Sequence, residues 1–459
     1  MNNINIKKVN EKTEAFFMLK ALVVLAVPTV IEEILSTLLQ YVDTAMVGHL
    51  GEEATAAVNV TTTITWLVSS IYSAVGIGIL AMIAKATGQK DETLVKSISK
   101  QAVLLVVVIG TLTGVISMAL SPFIPKWMGA EENVQGDASV YFFIISCSVL
   151  FRAAGSVFGA ALRATKDTKT PLYISILANI INVVLNYLLI YTAALGVKGA
   201  AIASAVSYIV FGVLMFVAYR KNKILYWEFK SFKPDITLLK ECAGVSLPVL
   251  GTSMASCLGY VVFARLVSGM GTTVFAAHSI AVTAETIFYI AGYGFRTATS
   301  TLVGNALGEQ DKKKFLLITK TSVVVTFAMM CINGFMLYVI SYPLMCLLTN
   351  SEAVASLGSE MLKLVAFSEP FFGLMIVAEG IFYGLGKTKY TFFVETFSMW
   401  GVRIFLTSLV VPKWNMGLKA VWYCMIGDNI CKAVLLMIPI LLGRGLWKGE
   451  FVYCDEIKK

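Results

Sequence analysis

Long apolar runs separated by short polar connections set the rhythm of this chain. Twelve such blocks lie at roughly 19–47, 54–84, 98–120, 137–162, 171–193 and 199–220, then at 240–268, 274–304, 317–341, 357–384, 391–411 and 417–441. A helix crosses the hydrocarbon core of a bilayer with about 20 residues. Every block reaches that length, and the longest have room for tilt or a kink. Pro28 and Pro248, each in the first block of a group of six, are the kink candidates. The pattern predicts an all-α polytopic membrane protein with twelve transmembrane helices. The amino-terminal stretch MNNINIKKVNEKTEAFF is polar and has no small-residue cleavage site behind a short apolar core, so no removable signal peptide is expected.

A displacement of 220 residues lays one half of the chain on the other. Pro28 falls on Pro248, Gly51 on Gly271, and Ala56 and Ala57 on Ala276 and Ala277. GQKDE at 88–92 falls on GEQDK at 308–312, and Thr168 and Lys169 fall on Thr388 and Lys389. Six spans return a chain to the side where it began, so the halves are expected to be parallel repeats about an axis along the membrane normal. The predicted division is an N-terminal six-helix lobe over 1–220, a cytoplasmic inter-lobe linker over 221–239 and a C-terminal six-helix lobe over 240–459. Two equivalent bundles of this kind, with a cavity between them, suit alternating access.

Composition agrees with the pattern. The chain is 57% hydrophobic and only 14% charged, where a soluble domain carries about a quarter of its residues charged. The net charge of +9 invites a nucleic-acid reading, but its distribution argues otherwise. Of the basic residues, 27 fall on alternate loops and the two termini, against five on the opposite loops (Lys126, Lys198, Lys363, Lys413 and Lys419). By the positive-inside rule both termini are cytoplasmic. The partners expected are therefore the bilayer of the cell membrane and a small molecule, with no nucleic acid. Five basic residues remain at membrane depth: Arg152, Arg265, Arg296, Arg403 and Lys432.

Several chemistries are set aside. The eight cysteines are scattered without a CxxC pair and read as free thiols in or beside apolar spans. Two histidines, His49 and His278, are too few and too distant for a metal cluster. There is no GxxxxGK[ST] loop to cradle a nucleotide and no nucleophile–base constellation. No catalytic residue, metal or cofactor is expected. Uphill movement would draw on an ion gradient or on a separate ATPase subunit.

A carboxylate at bilayer depth costs at least a few kcal/mol, which makes it a functional candidate. In LLQYVDTAMVGHLG, at 38–51, Asp43 interrupts an apolar run. Glu33, Ser36, Gln40, Asp43 and Thr44 share one face of the first span, a stripe that must meet protein or water. The fifth span carries Asn179, Asn182 and Asn186 at i, i+3 and i+7, also on one face. The sixth places Ser204 just over one turn in from its outer end. A carboxylate, two amides and a hydroxyl at comparable depth make Asp43, Asn182, Asn186 and Ser204 the candidate cation-coupling group. Glu33, Gln40 and Asn179 are candidates for a proton relay. Glu285, near mid-membrane in the eighth span, could meet substrate in a central cleft with Arg296 and Arg403, or pair with either arginine as a structural bridge. Asp428 and Lys432, at i and i+4, are expected to neutralise each other, and Glu369, Glu379 and Glu395 are expected nearer the interfaces.

PTVIEEILSTLLQYVDTAMVGHLGEEATAAV, GAALRATKDTKTPLYISILANIINVVLNYLLIY, the adjoining GVKGAAIASAVS and FAAHSIAVTAETIFYIAGYGFRTATSTLVGNALGEQD in the second half resemble the MATE (multidrug and toxic compound extrusion) transporters. The resemblance covers both lobes. It implies two six-helix bundles in a V and cation-coupled export of organic, often cationic or amphipathic, compounds by a monomer. It also implies that the first-span acid, here Asp43, is central to coupling. Two departures stand out. A branch holding its cation in the N-terminal lobe has an acid where this chain has Asn186, and commonly threonine where it has Ser204. Another branch has coupling acids in its second lobe, where this chain has Ser256 and Lys387. The loss of a neighbouring carboxylate favours H+ over Na+ as the coupling ion. The alternative is a flippase of lipids or lipid-linked oligosaccharides from a related paired-bundle family. It would need a cationic cavity, and the intramembrane arginines keep it open.

Overall fold

The computed structural model describes residues 2–228, 233–413 and 417–442. Among the basic residues bearing on topology, Lys230 and the four at the carboxy end lie outside the described residues, as do the side chains of Lys7, Lys8, Lys12 and Lys413. The described elements are helical: α1 (Asn2–Gly48), α2 (Glu52–Gly88), α3 (Glu92–Leu120), the one-turn α4 (Ile124–Trp127), α5 (Glu132–Cys147), α6 (Val149–Ala164), α7 (Lys169–Asn186) and α8 (Gly196–Lys221). The second half has α9 (Ile236–Ser268), α10 (Thr272–Gly308), α11 (Lys312–Leu348), α12 (Glu352–Ala366), α13 (Glu369–Gly384), α14 (Thr388–Phe397), α15 (Phe405–Lys413) and α16 (Leu418–Leu442). A π-helix continues α7 over Tyr187–Thr192, and another joins α14 to α15 over Ser398–Ile404.

Among the described residues ten helices are long and apolar enough to cross a membrane, and two bent pairs bring the count to the expected twelve when each is taken as one span. The α5–α6 pair bends by 48° and the α12–α13 pair by 56°. Hydropathy alone makes each a continuous block, because the apolar run does not stop at the bend. A serine marks each break. Ser148 Oγ donates to the Ile145 carbonyl at 2.7 Å and Ser368 Oγ to that of Val365 at 2.9 Å. A hydroxyl that bonds back to a carbonyl of the preceding turn competes with the helical ladder.

These bends also obey the 220-residue register, as does much of the backbone. Gly51 and Gly271, both at positive φ (113° and 110°), stand just before α2 and α10. Only glycine takes that conformation without strain. Asp91 caps α3 by accepting from the Leu94 N–H, and Asp311 caps α11 through Lys314, at 2.9 Å in each case. A side-chain oxygen at this position satisfies one of the four N–H groups that a helix start leaves without a partner.

By its contacts the chain forms two compact units, residues 31–250 and residues 1–30 with 251–459. Both divisions fall within a helix, two residues past Pro28 in α1 and two past Pro248 in α9. The 31–250 unit has a core from α2, α3, α6 and α8 around Ile83, Phe158, Leu162 and Tyr219, closed by Leu238 and Cys242 of α9. Trp227 of the segment after α8 is buried against it, and its carbonyl accepts from Arg220 Nη1 at 2.8 Å. In the other unit one core joins Leu22, Leu25 and Ala26 of α1 to α10, α13 and α16. A second gathers Trp422, Leu362 and Val365.

Close helix approach does much of the packing, as expected where lipid tails are as apolar as leucine and burial alone drives little association. At Gly380 of α13 a Cβ would lie 2.6 Å from the Arg296 carbonyl of α10, and at Gly384 equally close to that of Ser300. Large apolar side chains such as Leu112, Phe335 and Phe393 face outward, as a lipid-facing surface requires.

Candidate functional site

In the 31–250 unit, four of the expected residues form one chain of hydrogen bonds. Asn186 Nδ2 donates to Asp43 Oδ1 at 2.5 Å and also approaches Asn182 Oδ1 at 3.0 Å. Asn182 Nδ2 in turn donates to Ser204 Oγ at 3.3 Å. Asn182 and Asn186 are one turn apart on α7, so their amides stack along one face. Both are buried, as is Ser204, while Asp43 is half-buried. With Asp43 ionised, the amide-to-carboxylate bond is charge-assisted and among the stronger contacts available here. Asn186 Oδ1 is buried without a hydrogen-bond partner, leaving one acceptor of the group uncommitted.

Local structure holds this arrangement. The π-helix starts immediately after Asn186 and packs against α8 so closely that a Cβ at Gly199 would lie 2.7 Å from the Leu189 carbonyl. Single π turns often accompany functional sites, because the extra residue re-aims the side chains after it. Tyr191, in that turn, donates through its hydroxyl to the Met46 carbonyl of α1 at 3.0 Å. Val47, Ile190 and Ala200 close the apolar side. Three elements are thus pinned around Asp43.

A cavity of about 260 Å³ opens beside the chain, and Asn182 lines it. Glu32, Ser36, Arg152, Arg163 and Asn179 share its wall with Tyr72, Tyr208 and Phe211. Asn179 Nδ2 is buried without a partner. Arg163 Nη1 pairs with Glu32 Oε2 at 3.0 Å. Sequence reasoning favours Glu33 and misses Glu32. Glu32, Ser36, Leu39 and Asp43 follow i, i+4, i+7, i+11, an equally good helical face that could have pointed to it. Glu33 is half-buried and Gln40 exposed, and neither lines this cavity. Thr44 satisfies its hydroxyl on the Gln40 carbonyl. Arg163, assigned to a cytoplasmic loop, sits instead in the last turn of α6 with its head in the cavity wall.

The other unit commits its charges differently. Arg296 Nη1 pairs with Glu379 Oε2 at 2.8 Å. Arg403 Nε lies 2.8 Å from Asp428 Oδ2, an ion pair by distance rather than a well-aligned hydrogen bond. Lys432 Nζ shares that oxygen at 3.0 Å, and Ser398 Oγ donates to Asp428 Oδ1 at 2.6 Å. The two cleft arginines are therefore bound to acids other than Glu285. Glu285 is buried and makes no ion pair among the described residues, while Glu369, also buried, lies within reach of its charge. Glu369 and Glu379 are both buried within the unit. Arg265, in the last turn of α9, is exposed.

No group of three metal-ligating side chains occurs among the described residues. Of the free thiols, Cys147 and Cys346 are exposed and Cys242, Cys257 and Cys424 buried. His49 bonds the Ala45 carbonyl, and His278 packs edge-on against Phe263 and Trp422.

Comparison with known proteins gives concordant matches. The MatE family profile matches residues 28–188 and again 248–409. A probable multidrug resistance protein NorM of Thermotoga maritima is 26% identical over 450 residues, covering 95% of both chains. The multidrug resistance protein MdtK of Pectobacterium atrosepticum is 24% identical over 437 residues, covering 91% of this chain and 93% of its own. Among solved structures, an outward-facing multidrug resistance MATE family transporter of the MOP superfamily superposes with a TM-score of 0.87 at 20% identity, covering 93% of this chain and 95% of its own. A MATE structure in a bent conformation gives 0.88 at 19% identity, covering 95% and 99%.

Proposed function

The chain belongs to the MatE family, and from that premise we propose that it is a proton-coupled multidrug antiporter exporting organic, cationic or amphipathic compounds by alternating access. It works as a monomer in the cell membrane with both termini cytoplasmic. The observation that carries the coupling role is the hydrogen-bonded chain from Asp43 through Asn186 and Asn182 to Ser204. Asp43 is the group that gains and sheds the ion. Asn186 holds the ionised carboxylate through its N–H, and a proton arriving on Asp43 removes the charge that strengthens that bond.

The donor set supports H+ over Na+. A hard cation asks for converging oxygens. Here an amide nitrogen faces the carboxylate and the Asn182 and Ser204 oxygens are engaged along the chain, which leaves Asn186 Oδ1 as the uncommitted oxygen of the four-residue group. Export against a gradient requires that ion and cargo each bind the two conformations with different affinity. Loading Asp43 from outside favours release of cargo, and unloading inside favours its capture. The two six-helix lobes of the sequence repeat, linked through 221–239, are the rocking bodies. Replacing Asp43 with Asn keeps the shape and the hydrogen-bonding partner, so the protein should fold and should lose dye export in liposomes. Export at the wild-type rate would remove Asp43 from the mechanism.

The flippase reading is weaker. It needs several free guanidinium groups for a pyrophosphate, yet Arg163, Arg296 and Arg403 each have a carboxylate partner. That leaves Arg152 as the single cavity arginine without an acid among the described residues.

A further inference from the structure

Arg152 is a second arginine in the cavity of the 31–250 unit, beside the acid-paired Arg163. It lies in the cavity wall and donates from Nη2 to Ser69 Oγ at 2.8 Å. It sits 4.6 Å over the Tyr208 ring and 5.7 Å over that of Tyr72. The titratable groups that act on it are Tyr72, Tyr208 and Tyr141, and no carboxylate among the described residues lies within ion-pair distance. Arginine stays protonated in any protein environment, and a buried cation without a counter-charge is costly. Two stacked rings offset part of that cost, but neither ring supplies a negative charge.

The rest of the wall repeats the bias. Glu32, the acid on this wall, is spent on Arg163 at 3.0 Å. Asn179 presents a buried N–H group that has no acceptor. Tyr72 donates its hydroxyl to Ser69 Oγ at 2.7 Å, so that oxygen accepts from both the tyrosine and the arginine, while its own proton goes to the Thr65 carbonyl at 2.8 Å. What this wall lacks is a negatively charged acceptor that is not already paired.

We propose that the cavity within residues 31–250 binds a compact aromatic compound through an anionic oxygen group, with Arg152 as the residue that selects for it. A carboxylate suits the planar fork of the guanidinium, which can donate two parallel N–H bonds. Phe211 supplies an apolar ring face for the body of the ligand, with Tyr208 and Tyr72 in the wall beside it. A cavity of about 260 Å³ is at the small end for drug-sized ligands and has no room for the two chains of a diacyl lipid. The phosphate of a lipid headgroup shares the anchoring chemistry and is separated by the test. Asn182 belongs both to this wall and to the chain reaching Asp43, so an occupant touches the coupling group through one side chain. As a statement about cargo the proposal rests on the efflux reading. As a statement about binding it needs neither a gradient nor Asp43.

The test is equilibrium binding to the purified full-length protein, with radiolabelled 1-naphthoate and its neutral isostere 1-naphthamide as probes. The wild type should bind the carboxylate at least tenfold more tightly than the amide, since a hydrogen-bonded charge is lost between the two. Arg152→Gln should abolish that preference, and Arg152→Lys, which keeps the charge without the fork, should retain part of it. Equal affinity of the wild type for both probes, a comparison that needs no variant, overturns the proposal. So does an unchanged preference in Arg152→Gln. If phosphatidylglycerol binds in an Arg152-dependent way and 1-naphthoate does not bind delipidated protein, the guanidinium serves a lipid headgroup and the proposal fails. Intact binding in an Asp43→Asn protein that no longer transports would uphold this site independently of coupling. Failure of the wild type to discriminate the probes would leave the efflux reading untouched.

Discussion

Arg403 can be a substrate residue or a structural one, and Asp428 distinguishes the two. Asp428 is fully buried and meets Arg403 at 2.8 Å, Lys432 at 3.0 Å and Ser398 Oγ at 2.6 Å. Asp428→Asn keeps the volume and removes the charge, which leaves two buried cations beside each other. Breaking a buried pair by taking away one partner costs about 3–5 kcal/mol. Lys432→Met is the control. It leaves Arg403 and Asp428 as a neutral pair and exchanges an unbranched side chain for one of similar volume, which should cost less than about 1.5 kcal/mol. Thermal unfolding of the detergent-purified variants, followed by tryptophan fluorescence, ranks them. The expected order is wild type, then Lys432→Met close below it, then Asp428→Asn far below. The double-mutant cycle of Arg403→Ala with Asp428→Ala should return a coupling energy above about 1.5 kcal/mol, within the range reported for close charge pairs. An Asp428→Asn protein as stable as the wild type, or a Lys432→Met protein as damaged as Asp428→Asn, would refute the structural assignment and return Arg403 to the cargo contacts.

Asn186→Asp adds a second carboxylate beside Asp43 and supplies oxygens where a nitrogen now points. Export should become stimulated by Na+ at fixed pH, measured as dye efflux from liposomes over a range of Na+ concentrations. Gly380→Ala forces a Cβ to within 2.6 Å of the Arg296 carbonyl and should destabilise the protein by about 1–3 kcal/mol, read by the same unfolding assay. The exposed i,i+4 pair of Glu92 and Lys96 at 3.0 Å should matter little. Lys96→Ala is expected to change stability by less than about 1 kcal/mol and to leave transport unchanged.

The twelve spans are legible in the sequence because apolar blocks of bilayer length need no tertiary information. The bends at Ser148 and Ser368 are not, since a serine inside an apolar run reads the same whether it donates to its own helix or terminates it. The hydrogen-bonded group around Asp43 is legible for a related reason. Asn182 and Asn186 are one turn apart in sequence, so their contact is local, and depth counting alone brings Asp43 and Ser204 level with them. Glu32 escapes because adjacent positions on a helix differ by about 100°, and the stripe through Glu33 uses the other register. Partners from different helices are beyond reach. Nothing in the sequence joins Arg296 to Glu379 or Arg403 to Asp428, pairs 83 and 25 positions apart. Asn222 shows how far local chemistry still carries: its side chain accepts from the Ile224 and Leu225 N–H groups at the end of α8, a turn that asparagine commonly makes.

One carboxylate in the 31–250 unit, exchanging protons to drive export, is the centre of this account. Its most direct test is transport by purified protein in sealed liposomes, with a pH gradient and a Na+ gradient imposed separately. The account predicts that the proton gradient alone drives uphill dye export, that the Na+ gradient alone does not, and that Asp43→Asn responds to neither. Uphill export driven by Na+ alone at constant pH, or by protons in the Asp43→Asn protein, would contradict it.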